Sequence, residues 1–226
     1  DDPAVQDELN WAHNPEGIPA GLEIEWLGTA GFRLTFDDTT ILIDPYVSRA
    51  SMGTVAARRT LRSDRTLVDQ FLPKADAVLI GHSHFDHAMD SALVAQRTGA
   101  RLLGGASTAQ IGIGGGLSTE RVGIVAAGEA VRVGAFDVTL FESEHCPPDR
   151  YPGVIDAPVV PPVRASAYKC GEAWSTLVHH RESDRRLLIV GSAGAVPGAL
   201  AGQRADVVYL ACRQGSRPLG RLLCVH

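Results

Sequence analysis

The chain has 226 residues, 45% of them hydrophobic, with 21 basic and 26 acidic side chains and a formal net charge of −5. That length and apolar content allow one sizeable core, whereas a dispersed, mildly acidic charge offers no basic stripe for a phosphate backbone and excludes nucleic acid as an expected partner. No run of eighteen apolar residues occurs, which excludes an ordinary transmembrane helix.

Residues 1–20 are polar and carry Pro3, Pro15 and Pro19, as suits a lead-in arm, and residues 21–226 read as a single domain. The opening DDPAVQDE lacks a Met, so a removed export signal or tag is one expectation and a cytoplasmic chain the other. LEIEWLG (22–28), FRLTF (32–36) and TILID (40–44) read as short strands, with Asp37 and Asp38 turning the chain between the last two. Residues 49–72 lack clean periodicity and have room for a short helix.

ADAVLI (75–80) is a strand, apolar through its second half, and AMDSALVAQRTG (88–99) has helical spacing with a stop at Gly99. ARLLGG, RVGIVAA, EAVRVG and FDVTLFES suggest further strands, and residues 112–116 a flexible glycine break. The segment 146–162 contains six prolines, which predicts a long loop of the kind that often covers a site. AWSTLVHH and RRLLIVG form a hairpin around RESD, GSAGAVPGALAG (191–202) is a turn into a short helix, and ADVVYLA (205–211) is one more buried strand. Strands in runs, interspersed helices and no fixed repeat predict a layered α/β or α+β domain.

Between the strand at 75–80 and the helix that follows lies GHSHFDH (81–87), which holds three of the eight histidines. In an extended segment residues two apart point the same way, so His82 and His84 can converge on one ion. Asp86 and His87 fall where the chain turns into the helix and point elsewhere, toward a second ion position. Imidazole and carboxylate are the usual non-thiolate ligands of zinc and similar transition metals. His13 lies in the polar arm. His179 and His180, adjacent on a strand, face opposite ways and are unsuited to joint ligation. The cysteines Cys146, Cys170, Cys212 and Cys224 form no CxxC pair and read as small buried or idle thiols.

HxHxDH on a strand-loop-helix, with EWLGTAGFRLTF and TILIDPY upstream, resembles the metallo-β-lactamase superfamily of metal-dependent hydrolases from about Leu22 to Leu210, closest to its lactonase-like and phospholipase-like branch. The resemblance implies a four-layer αββα sandwich of two mixed sheets flanked by helices, with metals at one edge of the sheets. It also implies a third ligand to the first metal at the end of a later strand, where His145 stands in FESEHCPP. Asp44 would accept a hydrogen bond from a ligand histidine and orient it, or simply stabilise the turn before Pro45. Asp90 would orient a ligand similarly or serve as an acid in the first helical turn.

Two departures concern the second metal. Dinuclear members of the family place an Asp between the metals, whereas this chain has Ser192, a poor zinc ligand at neutral pH. Their final ligand histidine has only His226 as a counterpart, at a short spacing. One or two zinc ions are therefore expected, and the C-terminus reads as altered or incomplete.

The implied function is hydrolysis of an ester, lactone, amide or phosphoester of a small molecule. His82, His84 and His145 would hold an ion that yields a metal-bound hydroxide, Asp86 would orient the nucleophile or take its proton, and His87 would join a second ion. The alternatives are a metal-binding relative with little turnover and an RNA-processing nuclease, which in this superfamily carries an inserted domain that 226 residues do not accommodate. Composition assigns neither compartment nor oligomeric state.

Overall fold

The computed structural model describes residues 19–192, 194 and 196–211. The opening strands are β1 (Leu22–Gly28), β2 (Gly31–Phe36) and β3 (Thr39–Ile43), an antiparallel meander. Two short helices, α1 (Met52–Ala56) and α2 (Arg65–Phe71), flank the two-residue strand β4 (Thr60–Leu61). The weakly patterned segment thus contains two helices rather than one, the second begun by Asp64, whose carboxylate accepts from the Thr66 and Leu67 amides.

Strand β5 (Ala77–Leu79) leads through the histidine motif into α3 (Phe85–Ala88) and α4 (Ser91–Thr98), which stops at Gly99 in the left-handed conformation. After β6 (Arg101–Gly104) comes α5 (Ala106–Gly114), then β7 (Val122–Ile124), β8 (Ala130–Val133) and β9 (Phe136–Ser143). The loop predicted at 146–162 ends at β10 (Val163–Arg164), which pairs with β4, and β11 (Ala173–His180), β12 (Arg185–Val190) and β13 (Val207–Leu210) follow.

The strands form a six-stranded sheet, order β1-β2-β3-β5-β6-β7, and a five-stranded sheet, order β13-β12-β11-β9-β8. Both are mixed, since β3, β5, β6 and β7 run parallel, as do β12 and β13. Strand alternation divides the first sheet between two cores. Leu42, Val78, Ile80 and Leu102 face the helices, whereas Ile41, Ile43, Leu79 and Leu103 meet Phe136, Val138, Val178, Leu187 and Ile189 of the second sheet. Each such side chain taken fully out of water contributes about 1.5–3 kcal/mol. The result is the α/β sandwich expected, and among the described residues the α-helices lie before β8, with helical core residues packing on the first sheet.

Three local expectations are corrected. The glycines at 112–116 are not a flexible break, because Gly112 and Gly114 lie within α5, where a side chain on Gly112 would strike Leu102 and one on Gly114 the Val159 carbonyl. They allow the helix to pack closely on β6 and on the proline-rich loop. Residues 197–202 form turns, not a helix. Among the described residues, strand β13 is a half-exposed edge strand rather than a buried one, with Val208 and Leu210 facing outward.

Candidate metal centre

The parallel pairing of β3 with β5 brings their C-terminal ends together, and the Asp44 amide donates to Leu79 O at 2.9 Å. Strands β9 and β12 are both antiparallel to β11 and so finish at one edge of the second sheet, where the Cys146 amide donates to Ser192 O at 3.0 Å. A bond from the Trp174 amide to Gly81 O, 2.7 Å, ties the start of β11 to the motif. The edge implied for the metals thus gathers the ends of four strands.

His82 leaves the end of β5, and His84 is still extended, at φ −60° and ψ 152°, immediately before α3. His82 Nε2 and His84 Nδ1 lie 3.1 Å apart, so the two rings converge as their spacing predicts. His145, just past β9, completes a triangle with ring centroids 4.7 Å from His84 and 4.8 Å from His82. Nitrogens of these three residues lie within 4.8 Å of one another, close enough to share an ion. His145 Nδ1 is buried without a hydrogen-bond partner among the described residues, an arrangement that is costly unless something else occupies its lone pair or proton.

Burial, then the neighbouring His87, His84 and His145, pull His82 well below the ordinary histidine range. Burial likewise lowers His84. Both rings are therefore held neutral, as a ligand requires. The observed donor set, three convergent imidazoles with one orphaned nitrogen, fits a transition metal.

His87 packs its ring against His82, with centroids 3.8 Å apart, and its Nδ1 enters a tight slot. Its Nδ1 donates to Asp44 Oδ2 at 2.8 Å, and Gly81 N donates to Asp44 Oδ1 at 2.7 Å. A Cβ at Gly81 would come within 2.9 Å of Asp44 Oδ2, and one at Gly191 within 3.1 Å. Burial pulls the His87 pKa down, but the charge and hydrogen bond of Asp44 outweigh it and the net shift is upward. Asp44, itself at φ +45°, therefore bonds a motif histidine and the Gly81 amide at the head of the motif. Asp86, half-buried at the start of α3, has no side-chain hydrogen bond among the described residues and is near enough to His84 and His87 to raise the pKa of each.

Two other candidates have different surroundings from those expected. Asp90 is fully buried at the start of α4, and its carboxylate accepts from Val47 N, Ser48 N and Ser48 Oγ at 2.6–2.8 Å. It fastens the loop after β3 instead of orienting a histidine. Ser192 Oγ lies 2.9 Å from His82 Nδ1, on the far side of that ring from His84, and so supports His82 from behind. His226 and His13 lie outside the described residues, as do Cys212 and Cys224. His179 bonds Asp184 and His180 packs on Phe36, so neither joins the cluster.

The sequence gives no warning of the outer wall. His84 Nε2 faces Asp149 Oδ1 at 3.1 Å and Tyr151 O at 3.3 Å, both from the proline-rich loop. Cys170, read above as a small buried or idle thiol, is buried and lies with His84 and Asp149 in a second group of candidate ligand atoms. Burial, the Asp149 charge and a hydrogen bond to that carboxylate push its thiol up to about 12. Only the short step from His145 to Asp149 hints at this wall; nothing in spacing connects residues 84 and 170.

Comparison with known proteins places this geometry in a family. The profile of the beta-lactamase superfamily domain matches residues 23–170, well over half the chain. Among curated relatives, a UPF0173 metal-dependent hydrolase from Anaeromyxobacter dehalogenans is 35% identical over 92 residues, 39% of this chain and 29% of that protein. Another from Koribacter versatilis is 41% identical over 78 residues, 34% of this chain and 28% of its own length. The chain thus spans less than a third of the length of these relatives. Among solved structures, a protein proposed to be a metal-dependent hydrolase from Parabacteroides distasonis aligns with TM-score 0.54 at 17% identity, over 86% of this chain and 71% of its own. The diiron β-hydroxylase CmlA from Streptomyces venezuelae aligns with TM-score 0.51 at 23% identity, over 85% of this chain and 34% of its own, and these two likenesses speak to the fold alone. On the profile match, and with the sandwich and the histidine edge in agreement, the chain belongs to the beta-lactamase superfamily.

Proposed function

We infer that this protein is a metal-dependent hydrolase of a small molecule carrying an ester, lactone, amide or phosphoester bond, with zinc the favoured metal. The observation that carries the reading is the convergence of His82, His84 and His145, two of them held neutral by burial and the third with an orphaned buried nitrogen. An ion held there would supply Lewis acidity and make water acidic enough to attack near neutral pH. Asp86 is a carboxylate beside the cluster with no side-chain hydrogen bond among the described residues, suited to orient that water or accept its proton. Asp44 holds His87 through Nδ1, and Nε2, without a hydrogen-bond partner among the described residues, is suited to join a second ion.

Protein purified without added metal should contain at least one transition-metal ion per chain and should turn over members of a panel of model esters, lactones, amides and phosphoesters. His84→Ala should lose both properties. Absence of metal, with no uptake on titration, overturns the reading. A second reading, a metal-binding relative with little turnover, draws on Ser192, whose hydroxyl is committed to His82 where other family members place an Asp between the metals. Metal uptake without hydrolysis across the panel would favour it.

A further inference from the structure

The outer wall of the histidine cluster has its own chemistry. His84 presents Nδ1 to His82, and its Nε2 bonds the Tyr151 carbonyl at 3.3 Å with the Asp149 carboxylate 3.1 Å away. The Cys170 thiol lies beside Asp149, with candidate ligand atoms within 4.8 Å of one another, and the Cys170 amide donates to the same Tyr151 carbonyl at 2.8 Å. The Cys170 carbonyl accepts from Ser83 N at 2.8 Å and Ser83 Oγ at 3.1 Å. The loop and the motif are therefore stitched together on both sides of His84, through Ser83 and through the imidazole itself. Gly171 permits that approach, since a Cβ there would strike the Ser83 and Ser107 hydroxyls.

A neutral imidazole carries one N–H and one lone pair. A carboxylate and a carbonyl can only accept, so both draw the proton onto Nε2 and leave the Nδ1 lone pair directed at His82 and His145. We propose that Asp149 is a positioning residue that, together with the Tyr151 carbonyl, fixes His84 in the Nε2–H form with Nδ1 turned inward. The proposal rests on the reading of His82, His84 and His145 as a metal centre. Partners of this kind behind ligand histidines are worth about 10- to 100-fold in metal affinity.

The rival arrangement is a separate ion held by His84, Asp149 and Cys170, whose ligand atoms also lie within 4.8 Å of one another. It would take the Nε2 lone pair and force the proton onto Nδ1, spoiling the inner cluster unless the ring lost both protons. The geometry favours one ion on the inner side.

The test uses the full chain as wild type, Asp149→Ala, Asp149→Asn and Cys170→Ala, with zinc as the probe. Zinc affinity is measured by chelator competition, ions per chain at saturation by elemental analysis, and the His84 tautomer in metal-free protein by ¹⁵N chemical shifts. Asp149→Ala should weaken zinc about 10- to 100-fold at unchanged stoichiometry and shift His84 away from the pure Nε2–H form. Asp149→Asn, which keeps an accepting oxygen, should retain that tautomer with a smaller loss of affinity. Cys170→Ala should leave stoichiometry unchanged.

Wild-type affinity and tautomer in Asp149→Ala would overturn the proposal, as would loss of one whole ion per chain in Cys170→Ala with the remaining ion bound as before. If Asp149→Ala fails to fold, Asp149→Asn decides, and wild-type affinity in it counts against the proposal. Should the wild type itself take up no zinc, the metal-centre reading fails, while an unchanged tautomer in Asp149→Ala would separately reject the role of Asp149.

Discussion

The inner and outer sides of the histidine cluster are built differently. Inside, His82 and His87 are backed by Ser192 and Asp44, which follow the ends of β12 and β3. Outside, His84 is backed by Asp149 and Tyr151, on a loop of 17 residues from 146 to 162 with six prolines. Asp44 is 1% exposed and Asp149 23%. The inner partners therefore belong to the core as much as to the site, whereas the outer partner can tune an ion with less effect on the fold.

The largest expected effect is on the inner side. Asp44→Ala leaves His87 and the Gly81 amide buried without their acceptor, and should cost about 3–5 kcal/mol in denaturant unfolding. Asp149→Ala should cost clearly less in the same experiment, because exposure lets water replace the carboxylate; equal losses would erase the distinction between the two sides. Next comes the ion itself. Chelating the metal should remove about 2.7–4.1 kcal/mol of apparent stability when free metal had stood at 100 to 1,000 times its Kd, read as a lower Tm, and a Tm indifferent to chelator would show that no ion links the sides.

Asp90→Ala should cost about 1–3 kcal/mol, by freeing the partly buried Val47 and Ser48 amides. Metal content should be unchanged, and a drop of one ion per chain would return Asp90 to the site. The smallest effect is at Ser192→Ala, about 0.5–1.5 kcal/mol for one hydrogen bond. That variant should also weaken metal binding through His82, and a wild-type chelator titration would leave the inner backing with a structural role alone.

The same division explains what could be read from the chain. His82, His84, Asp86 and His87 are legible because a strand running into a helix imposes known directions on neighbours, and Asp44 through the family resemblance of the strand that it closes. Most strands were legible from their apolar runs, and Gly99 from the chemistry of a helix end. Asp149 and Cys170 were not, since a proline-rich loop has no period from which to infer what its side chains touch. The glycines of α5 look like a break in one dimension and become a packing surface only when β6 and the loop lie against them. Strand β13 has the composition of a core strand, but its exposure depends on its place at the sheet edge.

The bond from the Trp174 amide to Gly81 O joins the second sheet to the motif of the first. His82 and His84 arrive with one sheet and His145 with the other, so the three-histidine set does not exist until the two have docked. Ion capture during refolding is then a clock for docking: the spectroscopic signature of a fully ligated metal should rise no faster than burial of Trp174, however early either sheet forms its own hydrogen bonds.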